Sequence, residues 1–253
     1  MNVYTMYFSP TGGTKRVVDI LAGEFGTPVE MDFSAFNKNY GIYRFEPGDV
    51  CFIGVPSFGG RVPDAALKNL TKVQAHGAAA VVVVAYGNRA YEDTLLELRK
   101  AMEGCGFKVV AAVAAVTEHS IMHQYGAGRP DRKDIQDLKA MAGRIRKKLL
   151  RPDSWKDFFV PGRYPYKEYH TIPMVPKADK TCRKCGLCAE QCPAAAISKA
   201  DPQKTDTEKC ISCMRCVSIC PEHRRKINKV MVFAASMKLR KACLRRKDNQ
   251  LFL

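Results

Sequence analysis

No apolar run in this sequence is long enough to span a bilayer. The longest, GAAAVVVVAYG from Gly77 to Gly87, falls short of the roughly 20 residues a membrane helix needs and reads as a buried strand. The opening MNVYTMYFS lacks the basic start and long apolar stretch of a signal peptide, which points to the cytoplasm. Acidic residues are scarce: 25 Asp and Glu stand against 41 Lys and Arg, a formal net charge of +16. Cysteines are missing from most of the chain. Eight of the eleven fall in two short runs, and only Cys51, Cys105 and Cys243 stand apart. A disulfide scaffold spreads its cysteines along a small secreted chain, so this clustering points instead to thiolate ligands in a reducing compartment. The sequence offers no nucleophile–base arrangement and no paired-carboxylate motif.

With 46% apolar residues over 253 positions, the chain is globular and long enough for one or two domains. Residues 1–150 alternate apolar runs with helical patterns. Strands are expected at Asn2–Phe8, Pro28–Phe33, Asp49–Pro56, Ala79–Tyr86 and Phe107–Thr117, and helices at Thr14–Gly26, Pro63–Lys72, Tyr91–Glu103 and Asp131–Leu149. Wholly apolar strands separated by helices predict a parallel sheet covered on both faces, an α/β doubly wound domain that binds ligands at the carboxyl ends of its strands. Residues 151–177 form a connector: RPDSWKDFFVPGRYPYKEYHTIPMVPK carries five prolines and six aromatic residues. It lacks the Gly and Ser of a flexible linker, so an ordered cover or seam is expected. Trp155, Phe158, Phe159, Tyr164, Tyr166 and Tyr169 read first as glue between domains, and alternatively as a shield over a cofactor.

Two cysteine runs follow within residues 178–223. Each reads C-x2-C-x2-C-x3-C-P: Cys182, Cys185, Cys188, Cys192, Pro193, then Cys210, Cys213, Cys216, Cys220, Pro221. Two-residue gaps let one tight loop wrap three corners of an iron–sulfur cubane. A zinc site wants four ligands in two pairs and has no use for the third cysteine or the proline. In two-cluster ferredoxins the fourth cysteine of each run serves the other cluster. Carried over, Cys182, Cys185, Cys188 and Cys220 hold cluster one, and Cys210, Cys213, Cys216 and Cys192 hold cluster two.

The first strand runs into FSPTGGTKR, where Ser9, Thr11 and Thr14 put hydroxyls on a turn that opens a helix. Gly12 and Gly13 allow close backbone approach, and the helix start offers free N–H groups to an anion. The turn lacks the Lys-Ser/Thr ending of a nucleoside triphosphate loop and the G-x-G-x-x-G of a dinucleotide site, and suits a phosphate monoester. A well-capped helix start is the competing reading.

The S-x-T-G-x-T turn after a first strand resembles that of a flavodoxin. The resemblance implies strand order 2-1-3-4-5 in a five-stranded parallel sheet and FMN with its phosphate on Ser9–Thr14. Two further loops would hold the isoalloxazine ring: Pro56, Ser57, Phe58, Gly59 and Gly60 in one, and Tyr86, Gly87, Asn88 and Tyr91 in the other. Phe58, Tyr86 and Tyr91 are the aromatic candidates to stack on it. Arg61 and Arg89 depart from the acidic surroundings of ordinary flavodoxins and would favour an anionic reduced flavin. The chain as a whole, over about residues 1–223, resembles the fused flavodoxin–ferredoxin proteins of anaerobic bacteria and archaea, with a small α+β two-cluster ferredoxin domain behind the flavodoxin-like one. The implied cofactors are one FMN and two [4Fe–4S] clusters.

Charge is uneven. Residues 1–150 hold 19 Lys and Arg against 15 Asp and Glu, and residues 151–253 hold 22 against 10. Acidic redox proteins such as ferredoxin or flavodoxin are the expected partners, in preference to nucleic acid, for which no recognition fold is visible. The tail, residues 224–253, has ten basic residues and one acidic, Asp248. A basic amphipathic helix is expected at Met237–Lys247, packing one face on its own protein in preference to resting on an anionic membrane. His119 and His123, after the fifth strand, read as loop histidines before proton donors. Electron transfer between FMN and clusters is the expected function. A flavin-dependent reductase of a small organic acceptor and a cluster-based redox sensor are the alternatives.

Overall fold

The computed structural model describes residues 2–36, 38–170 and 172–253. In chain order its principal elements are β1 (Val3–Tyr7), α1 (Gly13–Gly23), β2 (Val29–Asp32), β3 (Val50–Pro56), α2 (Asp64–Leu70), β4 (Ala79–Tyr86), α3 (Thr94–Gly104), β5 (Lys108–Val116), α4 (Arg132–Leu149), α5 (Leu187–Glu190), α6 (Arg215–Ser218), α7 (Lys229–Cys243) and β6 (Gln250–Phe252). The five strands of the first half are parallel and lie in the order β2-β1-β3-β4-β5, which is the flavodoxin-like order with its reversal between β1 and β3.

The pattern of β4 explains the architecture. All eight of its residues are buried. Ala80, Val82, Val84 and Tyr86 pack on one side with Ala66, Leu70, Leu95 and Leu98 from α2 and α3. Ala79, Val81 and Val83 pack on the other with Val17, Leu21, Leu138 and Ile145 from α1 and α4. A strand buried on both faces cannot alternate polar and apolar residues, so it reads as one unbroken apolar run.

A sixth strand corrects the expected count. β6 pairs antiparallel with the outer edge of β5, Leu251 opposite Val113, so the sheet has six strands, the last supplied from the far end of the chain. The helix expected at Met237–Lys247 is also corrected. It starts eight residues earlier, where the Asn228 side chain accepts the Val230 N–H at 2.9 Å. It ends at Cys243, short of the Arg245-Arg246-Lys247 run. Between these elements Lys177–Ala178 and Arg225–Lys226 pair antiparallel and close the base of the cysteine-bearing unit.

The return of the chain is locked at Asp134, a carboxylate only 1% exposed. It accepts hydrogen bonds from Arg129 Nε at 2.8 Å, Asn249 Nδ2 at 3.1 Å and Arg246 Nη2 at 3.1 Å, while Asn249 Oδ1 accepts the Val116 N–H at 2.9 Å. Burial pushes the Asp134 carboxyl up, but the Arg129 guanidinium and the Asp131 N–H outweigh it and hold the group below its ordinary range. A carboxylate depressed on folding contributes stability that is present above its unfolded value and lost as pH falls through the folded one. Asp134→Asn is therefore expected to cost roughly 3–5 kcal/mol at neutral pH, as breaking one partner of a buried ion pair does. In urea unfolding followed across pH, the wild-type protein should lose stability below about pH 4 more steeply than the variant.

Candidate functional site

A cavity of about 490 Å³ lies at the carboxyl ends of β1, β3, β4 and β5. Its floor is the turn after β1, where Gly12 caps α1 in a left-handed conformation, φ +87°. Ser9 is buried, its N–H donated to Ser34 Oγ and its own Oγ accepting the Lys15 N–H, both at 2.9 Å. The hydroxyl thus braces the first turn of the helix. Among the described residues the N–H groups of Thr11, Gly13 and Thr14 find no acceptor in the protein. Unsatisfied donors at a helix start are the usual seat of an anion.

Of the fourteen residues expected to hold FMN, ten line this cavity: Ser9, Thr11, Gly13, Thr14, Pro56, Ser57, Phe58, Gly59, Tyr86 and Gly87. Four do not. Gly12 shapes the turn from behind. Gly60 is where a β-carbon would collide with the Glu92 side chain, so its role is close packing. Tyr91 points to the sheet edge, its hydroxyl donating to Gln250 Oε1 at 2.5 Å. Asn88, φ +60°, is the clearest departure. Its amide donates to the Cys243 and Arg245 carbonyls at 2.6 and 3.0 Å, and its Oδ1 accepts the Lys247 N–H at 3.2 Å. It ties the chain's return to the β4 loop. Arg61 is likewise committed elsewhere, forked onto the buried Glu97 at 2.6 and 2.9 Å and set over the Tyr166 ring. Arg89 does line the cavity, and Lys167 and Lys238 join it.

The connector takes the place of the cover considered for it, and α7 joins it. Tyr169, His170, Ile172, Pro173 and Met174 from the connector, and Ala235, Lys238 and Leu239 from α7, complete the wall. The connector is laced down by the Arg163 and Lys167 N–H groups, which donate to the two Asp93 carboxylate oxygens at 2.8 and 2.7 Å. Its aromatics divide the two tasks considered for them. Trp155 donates to the Lys148 carbonyl at 3.0 Å and Phe158 packs on the core, while Tyr169 faces the cavity, burial pushing its phenol up to about 12. Phe159 and Tyr164 are exposed.

The loop after β5 supplies Thr117–Met122. Here His119 accepts the Ile121 and Met122 N–H groups on Nδ1, at 3.1 and 3.2 Å. An acceptor at Nδ1 leaves the proton on Nε2, a neutral imidazole that can donate. Burial, and then the charges of His123 and Arg89, lower its pKa to about 4. The ring packs so closely over Gly87 that a β-carbon there would lie 2.7 Å from it.

The thiols of the second half gather unevenly. Cys192 from the first run lines a small cavity together with Cys210, Cys213 and Cys216 from the second, the crossed set expected for cluster two. Burial, then the charges of the neighbouring cysteines, pushes Cys213 and Cys216 up to about 12. Bare thiols there would keep their protons, and a bound metal is what makes them thiolates. Of the other set, Cys188 is buried, Cys182 and Cys220 are half-buried, and Cys185 is exposed. Among the described residues no three Cys, His, Asp or Glu side chains stand at spacing for a single metal ion. A cubane spreads its irons over four corners and wants a wider set than one ion does. A further observation fits an iron–sulfur group. The Nε–H groups of Arg215, Arg224 and Arg225 are buried without an acceptor among the described residues, and cluster sulfides accept such donors.

Two outcomes follow. Asn88→Ala should lower stability by roughly 2–3 kcal/mol, the cost of stripping a buried hydrogen-bond hub, measured as a shift in the urea midpoint. In an NMR titration the His119 ring should remain neutral down to a pH near 4, and Gly87→Ala, by displacing the ring, should raise that value.

Residues 174–221 match the family model described as a 4Fe-4S dicluster domain. No curated protein matches the chain. Among solved structures, a flavodoxin from the domain Archaea is 15% identical, covering 60% of this chain and 100% of its own at a TM-score of 0.43. A flavodoxin of Streptococcus pneumoniae TIGR4 is 17% identical, covering 58% and 99% at 0.41. The rubredoxin oxygen:oxidoreductase of the anaerobe Desulfovibrio gigas is 18% identical over 58% of this chain at 0.41, and the match spans only 37% of that longer protein. By its own strand order the first half is flavodoxin-like, and residues 174–221 match a 4Fe-4S dicluster domain, so the chain joins the two folds.

Proposed function

We propose that this protein passes electrons between one FMN, held in the strand-end cavity, and two [4Fe–4S] clusters held by the crossed cysteine sets. One observation carries the reading: Cys213 lines the small thiol cavity and the large strand-end cavity at once, with Ile211 and Ser212 beside it. A ligand to cluster two is thereby part of the flavin site's wall. When bound, FMN exchanges one or two electrons and each cubane one. The tether makes that exchange intramolecular, at the effective concentration of a short linkage. Within the site, the N–H groups of Thr11, Gly13 and Thr14 would hold the phosphate, Phe58 and Tyr86 would pack on the ring, and Arg89 and Lys167 would favour negative charge on it.

The cover supports the reductase form of this reading over the open carrier. A carrier must present its ring to a protein partner, whereas the connector segment Tyr169–Met174 and α7 wall this cavity. A small organic acceptor would bind under that roof, and an acidic redox protein such as ferredoxin or flavodoxin would deliver electrons to the clusters, steered by the basic second half. The reducing cytoplasm is the setting these thiolates require.

Purified without oxygen, the protein should contain about eight irons, eight sulfides and one FMN per chain. Eight irons with no flavin after reconstitution would refute the flavin half. Rapid reduction of the clusters by dithionite should be followed by bleaching of the flavin band in the same molecule. Ser9→Ala, which unbraces the phosphate turn, should weaken FMN binding by roughly tenfold, the loss of about one hydrogen bond.

A further inference from the structure

α7 has two faces of different character. The inner one carries Val232, Ala235, Leu239 and Cys243, packed on Ile121, Met122, Tyr125, Met174 and Met214, with Tyr125 donating to the Ser236 carbonyl at 2.6 Å. That face anchors the helix. The outer one holds large apolar side chains in water: Val230 is 75% exposed, Phe233 67%, Met237 51% and Leu244 62%. At about 100° per residue these four fall within an arc of roughly 60°. Lys229 and Arg240 lie on one side of the arc, and Lys241 on the other, while Lys238 turns toward the strand-end cavity. The ion pairs of the tail are made by Arg224, Lys226, Arg246 and Asp248, so among the described residues these three flanking cations have no acidic partner.

An apolar centre with basic margins, running the roughly 22 Å of a fifteen-residue helix, is the geometry of a helix that lies in a membrane interface. We propose that α7 seats this protein peripherally on an anionic lipid surface. Val230, Phe233, Met237 and Leu244 enter the acyl boundary, and the flanking Lys and Arg meet headgroup phosphates. The charge complementarity selects an anionic bilayer over a neutral one. The apolar row favours lipid over an acidic soluble protein, which would cover the basic margins and leave Phe233 and Met237 in contact with charge. Among the described residues no helix is long and apolar enough to cross a membrane, so the contact is superficial. None of the four apolar residues lines the cofactor cavity, and the inference stands apart from the identity of the cofactors.

The test is co-sedimentation of the cluster-loaded protein with large vesicles, either pure phosphatidylcholine or phosphatidylcholine with about one-third phosphatidylglycerol. Binding to the anionic vesicles alone is expected, weakened roughly tenfold or more in about 0.5 M salt. Phe233→Ser/Met237→Ser should reduce partitioning by roughly tenfold while leaving far-UV dichroism and the cluster absorbance unchanged, since both positions face solvent. Three results would overturn the proposal. One is no binding to the anionic vesicles. A second is binding that the apolar double variant leaves unaltered, which reduces it to diffuse charge adsorption. The third is self-association, or a complex with an acidic ferredoxin, that the same variant abolishes while vesicles never bind; the stripe then belongs to a protein partner.

Discussion

The whole arrangement hangs on a carboxylate that has been taken out of water. Asp134 sits in the first turn of α4, where it completes a capping box with Asp131, and its burial demands several donors at once. Arg129 comes from the preceding loop, but Arg246 and Asn249 come from the far end of the chain. Satisfying that one group draws the tail across the first half, sets β6 against β5, and leaves α7 nowhere to lie except over the strand-end cavity. Asn88 repeats the device on the neighbouring loop, holding the Cys243 and Arg245 carbonyls. The two halves are therefore more than tethered: the second is bracketed, by connector in front and tail behind, against the first.

This bracketing gives the cavity its chemistry. A flavodoxin-like sheet alone would leave its strand ends open to solvent. Here Met174, Tyr169 and the inner face of α7 remove water from one side, while Cys213 brings the cluster domain into the wall on another. Water exclusion strengthens every electrostatic interaction within, including those of Arg89, Lys167 and Lys238. It also keeps His119 neutral, because an imidazolium would have to form in a half-dry site already facing Arg89. A neutral ring whose Nδ1 is saturated by two backbone N–H groups has one orientation and one free donor, so the site is pre-organised.

Much of this was legible beforehand where the physics is local. The wholly apolar β4 announced a strand buried on both faces, and its limits, Ala79–Tyr86, agree with the pattern. Cysteines at fixed spacing, and glycines between hydroxyls at a helix start, act through a few adjacent residues and can be read as such. The pattern is silent wherever a residue's neighbours are remote in sequence. Asn88 and Tyr91 have the chemistry of ring-binding residues, yet they are spent on Cys243, Arg245, Lys247 and Gln250, more than 150 positions away. Arg61, next to the glycines of its loop, turns to Glu97. The basic tail looked like an appendage because Gln250–Phe252 is too short to register as a strand until β5 offers it an edge.

Periodicity and close spacing in the sequence suffice to specify the two folds, the paired cysteine runs and the glycine-bearing turn after β1, since each depends on residues within a dozen positions of one another. Tertiary contacts alone set Cys213 in the walls of both cavities, bring the connector and α7 together over the strand ends, and return the last strand to the first sheet. Those outcomes depend on which buried donors and acceptors can be satisfied together, and the pairings are made between groups that no local pattern relates.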